Sequence, residues 1–95
     1  MVSINAELDA AKAAKAAVNA ILATARKSEV LTTLYKANRI AILNFSSGGA
    51  LNEARGKVGI ALSNLIDEHG PSRPDTIDKA KRAIEAWIKE LERSL

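Results

Sequence analysis

Residues Ala50 to Pro71, ALNEARGKVGIALSNLIDEHGP, decide the architecture. At about 100° per residue, Leu51, Ala54, Val58, Ala61, Leu62 and Leu65 fall on one helical stripe. Gly56, Gly59, Ser63 and Ile66 form a second, mostly small-residue strip beside it, and Ile60 lies further round. Apolar residues on two sides predict a helix with neighbours on two sides. The expectation is a helix over residues 50–69 at the centre of a bundle, wrapped by the others. Gly70 then fits the left-handed position after a helix end, and Pro71 cannot continue the helix.

Upstream, Ser46-Ser47-Gly48-Gly49 reads as an interhelical loop. Before it, Val30, Leu31, Leu34, Ala41 and Phe45 form the apolar stripe of a helix over 29–45. Asn38 sits in the middle of that stripe, and Ile40 and Leu43 fall outside it. A first helix is predicted over 4–26, with Ile4, Ala11, Ala14, Val18, Ile21, Leu22 and Ala25 facing inward. Ala13, Ala16, Ala20 and Ala23 cover another side, and Ser3 or Asn5 is positioned to cap the start. Continuing this stripe past Ala25 would bury Glu29, Thr32 and Lys36, so the phase breaks near Arg26-Lys27-Ser28. One fused helix over both segments is the alternative.

Downstream, residues 75–93 form the most regular segment. Ile77, Ala80, Ile84, Trp87, Ile88, Leu91 and Leu95 occupy one arc, with charge elsewhere and i,i+4 pairs at Asp78–Arg82 and Glu85–Lys89. Asp75 or Thr76 is the expected cap, or Ser72 in a capping box with Asp75. The regularity is that of an engineered or designed helix. The fold expected is all-α: a four-helix antiparallel bundle forming one domain over residues 1–95.

Composition narrows the function classes. Apolar residues make up 47% and charged residues 26% of the chain, which places it among globular domains. It has no cysteine, which removes disulfides, thiol catalysis and zinc–thiolate sites. The N-terminus lacks a signal-peptide layout, and Lys12, Lys15 and Asn19 interrupt the alanine-rich run. A cytoplasmic location without membrane contact is expected. The net charge of +3 is too small for a dedicated nucleic-acid field.

Few residues carry candidate chemistry. His69 follows Asp67 and Glu68, but neighbouring helical side chains diverge by about 100°, so they cannot converge on one metal. A Ser63–His69–Asp67 triad fails for the same reason. The 46–49 loop precedes a helix N-terminus, yet Gly56-Lys57-Val58 lacks the hydroxyl residue of a phosphate loop. No catalytic residue, cofactor or metal is expected.

Three binding surfaces remain. An interaction strip of Gly56, Gly59, Ser63, Ile40 and Leu43 suits a protein partner or a second copy. Gly56 and Gly59 each cost about 1 kcal/mol in a helix interior, which packing against the alanine-rich first helix would offset. A ligand pocket could form around Tyr35, Asn38 and Asn64, although buried Asn also fixes helix register. A basic face of Lys12, Lys15, Arg26 and Lys27 could touch phosphates, but no aromatic residues interleave with it. The leading expectation is a non-enzymatic protein-interaction or self-assembling module. Small-molecule binding is second, and weak nucleic-acid binding third.

Overall fold

The computed structural model describes residues 2–21, 28–68 and 73–95. Four helices follow one another: α1 (Ile4–Ile21), α2 (Ser28–Asn44), α3 (Ala50–Asp67) and α4 (Pro74–Arg93). The described residues contain no strand. An 18-residue helix is about 27 Å long, so the helices run along the 35 Å axis of a 35 × 20 × 19 Å body.

The bundle is a square. α1 and α3 each pack against α2 and α4, whereas among the described residues the backbones of the diagonal pairs stay apart, and α1 reaches α3 through long side chains, Glu7 to Arg55. This corrects the expected central placement of α3, which is one corner of four. A corner helix in a square has two neighbours roughly at right angles. Two apolar flanks therefore mark a corner as well as a centre. α1 and α2 lie side by side as separate helices, which excludes the fused alternative.

Cross-links at one end fix the direction of each helix. Glu7 in the first turn of α1 bonds Asn44 at the end of α2, Arg55 near the start of α3 and Trp87 in the second half of α4. Only an up-down-up-down course brings those four positions to one level.

The core is built from small and large residues in alternation. Ala11, Ala14, Ala37, Ala41 and Ala80 are wholly buried and let the helix axes approach. Leu34, Val58, Leu62, Leu65, Ile84, Trp87 and Leu91 fill the remaining space.

Helix ends agree with the sequence in places. Ser3 Oγ accepts the Ala6 N–H at 3.2 Å, so Ser3 caps α1. Gly48 and Gly49 take φ of 86° and 87°, which explains the glycine pair before α3. α4 begins at Pro74 with Arg73 at the cap position, ahead of the expected Asp75 or Thr76 cap. Thr76 instead donates to Glu68 Oε2 at 2.8 Å. α3 stops at Asp67 rather than His69, because Glu68 is already extended. The expected end of the first helix near Arg26, its inward Leu22 and Ala25, the Gly70–Pro71 stop and the Ser72 cap lie outside the described residues. On α4, the Asp78–Arg82 pair forms at 3.0 Å and an Asp75–Lys79 pair at 3.3 Å.

Candidate functional site

Two features stand out in this frame, a sealed polar cluster and an open, largely apolar groove. The sealed cluster centres on Glu7, which is wholly buried. Its Oε1 accepts from Arg55 Nη2 and Asn44 Nδ2, both at 2.8 Å. Its Oε2 accepts from Arg55 Nε and Trp87 Nε1, both at 2.8 Å. Arg55 thus grips the carboxylate with two parallel bonds. Its Nη1 donates to Asn44 O and Asn52 Oδ1, each at 3.0 Å. Asn44 also exchanges two bonds with the Val2 backbone, at 3.0 and 2.9 Å.

Burial alone would push the Glu7 carboxyl up. Hydrogen bonds from Arg55, Asn44 and Trp87, with the Arg55 charge, outweigh it and hold Glu7 below its ordinary value. An ionised carboxylate with four N–H donors has no lone pair directed at a substrate, so the cluster is a brace between helices.

The groove runs between α2 and α3. It encloses about 470 Å³, with Ile42 and Phe45 on one side and Gly56, Gly59, Ile60, Ser63 and Asn64 on the other. Its walls are exposed: Phe45 is 53% and Ile60 67% accessible. A Cβ added at Gly56 would meet Phe45 Cε2 at 3.5 Å. One added at Gly59 would meet Asn38 Oδ1 at 3.6 Å and Ile42 Cγ1 at 3.8 Å. Both are ordinary contact distances. The glycine strip therefore faces α2, not the alanines of α1 as expected, because α1 and α3 are diagonal in the square.

Asn38, 9% exposed, lies beside Gly59 at the edge of this groove and lines the adjoining furrow of α2. Its Nδ2 donates to Ser63 Oγ at 3.2 Å, joining α2 to α3. Its Oδ1 is shut off from solvent and receives no hydrogen bond from the described residues.

The structure regroups the residues singled out in the sequence. Gly56, Gly59 and Ser63 of the strip, with Asn64 of the pocket, line one groove. Asn38 borders the same groove beside Gly59. Tyr35 and Leu43, both exposed, line an adjoining furrow on the outer side of α2 with Asn38 and Arg39. Ile40 departs from the strip: it borders a different furrow, between α1 and α2, with Ala6, Ala10 and Ala13. Lys12 and Lys15 are exposed on α1, and Arg26 and Lys27 lie outside the described residues. Among the described residues no three His, Asp or Glu side chains gather to hold a metal, and His69 lies outside them. Ser63 Oγ is engaged by Asn38. In the 46–49 loop, Asn52 Oδ1 accepts the Ser46 N–H at 3.0 Å and Asn52 Nδ2 donates to the Gly48 carbonyl at 2.7 Å. No helix among the described residues is long and apolar enough to cross a membrane.

Sequence reading missed Glu7, Asn44 and Arg55. The signal was present in spacing. Glu7 precedes Ala11, Ala14 and Val18 on one stripe of α1, and Arg55 lies between Leu51 and Val58 on α3. One acid and one base, each on a core stripe, are a candidate buried pair. Phe45 is exposed, not inside as its stripe predicts, because α2 ends at Asn44 and Asn44 takes the buried position there; Leu95, on the predicted arc of the last helix, is likewise exposed because α4 ends at Arg93.

Comparison with known protein families, curated proteins and solved structures finds no match to this chain.

Proposed function

We propose that this chain is a non-enzymatic interaction module whose α2–α3 face receives an apolar helix of a protein partner. The observation that carries this reading is the space at Gly56 and Gly59. Each residue gives up about 1 kcal/mol relative to alanine in a helix interior, yet each has room for a methyl group. Packing within the chain does not require glycine at either position. An occupant that approaches the α3 backbone does. Small residues spaced three and four apart, at Gly56, Gly59 and Ser63, suit a close helix crossing. Exposed Ile42, Phe45 and Ile60 supply apolar walls for helix-in-groove recognition.

The test is selection of helical peptides from a randomised display library against the full chain, followed by amide chemical-shift mapping. The expected binders carry apolar residues at helical spacing, shift Gly56, Gly59 and Ser63, and lose binding to Ile60→Asp. Binders that map to the outer face of α4 contradict the reading. Light scattering over a wide concentration range identifies the source of the helix. Mass rising above 10.1 kDa in the wild type, but not in Ile60→Asp, assigns it to a second copy.

A further inference from the structure

We infer that the α2–α3 groove selects an occupant that carries a hydrogen-bond donor on an apolar body, and that Asn38 Oδ1 receives that donor. The inference rests on the groove being a docking face and names the chemistry at its centre. The occupant is the partner helix, and the donor is a hydroxyl-bearing side chain on it.

Two independent observations meet at one point. The first is the space above Gly59, where a side chain is missing and a methyl carbon would fit. The second is the carbonyl oxygen of Asn38, which lies 3.6 Å from that methyl position. Asn38 is more than nine-tenths buried, and its amide is oriented by the bond from Nδ2 to Ser63 Oγ. The opposite atom, Oδ1, faces the Gly59 position, a lining residue of the groove, and receives no donor from the described residues. A buried acceptor left unmade is costly, whereas an apolar side chain of similar size would cost nothing of the kind. An incoming donor removes that cost on binding, so the preference for it should be large. Ile42 borders the same space at 3.8 Å, lines the groove and is exposed, so it lies on the side from which an occupant approaches.

Three probes of similar size test this on the full chain: phenol, which offers a donor; toluene, which offers none; and anisole, which offers only an acceptor. Each is titrated while the amide signals of Gly56, Gly59 and Ser63 are followed. Phenol is expected to bind about tenfold more tightly than toluene or anisole. Asn38→Leu should abolish the difference and retain toluene binding. Should that variant not fold, the wild-type comparison decides alone. Phenol and toluene binding alike, or anisole binding best, overturns the inference and leaves the docking face standing. No shift at the groove with any probe overturns both. A phenol preference in a chain that selects no helical peptide overturns the partner-helix source and leaves a small-molecule site. Selected peptides should place Ser, Thr or Tyr opposite Asn38, and peptides with only aliphatic residues there count against the inference.

Discussion

Glu7 and Trp87 stand 80 residues apart in sequence and 2.8 Å apart in space, with the indole N–H donating to the buried carboxylate. The bond joins the first turn of α1 to α4, and Arg55 and Asn44 bring α3 and α2 to the same carboxylate. Four helices with alanine-rich contacts can slide past one another at little cost. A single charge that needs donors from all of them penalises every register but one.

Removing one partner of the buried pair should therefore be severe. Glu7→Ala leaves Arg55 without its counter-charge, and Arg55→Met leaves Glu7 without its main donors. Each is expected to cost roughly 3–5 kcal/mol in urea unfolding. The double variant should cost clearly less than the sum, since no charge is stranded. Additive losses would show that the two residues act separately.

Acid should act through the same carboxylate. Its folded-state pKa lies below the ordinary value of 4.5. A depressed carboxylate contributes stability that is fully present above the unfolded value and lost as pH falls through the folded one. The melting temperature should fall as the pH drops below about 4.5, and Glu7→Gln should flatten that part of the curve. An unchanged slope in the variant would place the acid sensitivity elsewhere.

Trp87→Phe keeps most of the ring volume and removes one donor. An expected loss of about 1–3 kcal/mol should shrink in a Glu7→Gln background, because the amide needs fewer donors. Equal losses in both backgrounds would assign the effect to packing alone.

Ile60→Asp separates the groove from the fold. Ile60 is 67% exposed, so the change should alter stability by no more than about 0.5 kcal/mol. It should nonetheless remove binding of groove-directed peptides. A large loss of stability would mean that Ile60 serves the core.

The helices and most of the core were legible because hydrophobic spacing fixes them. Val58, Leu62, Leu65, Ile84, Trp87 and Leu91 are all buried where their stripes placed them. Neighbour relations were less legible. Periodicity gives the faces of α3 but not which helix meets them, so the glycine strip was matched to α1 and in fact faces α2. The polar brace was hidden for another reason. A Glu and an Arg on separate stripes look like isolated polar interruptions until the fold brings them together. The groove was half visible: Gly56, Gly59 and Ser63 of the strip and Asn64 of the pocket line one surface, with Asn38 Oδ1 next to Gly59. Ile40 was misassigned because lying off the main stripe of α2 does not say which side of that stripe is open.

Urea unfolding of Gly59→Ala, with Gly56→Ala beside it, tests the groove most directly, since it needs no partner. Gly59 is buried, yet the added methyl would make only ordinary contacts. Each substitution should stabilise the chain by roughly 0.5–1 kcal/mol, while binding of groove-directed peptides weakens. A loss of stability would mean that the glycines are required by α2 itself, and that no space is being kept for an occupant.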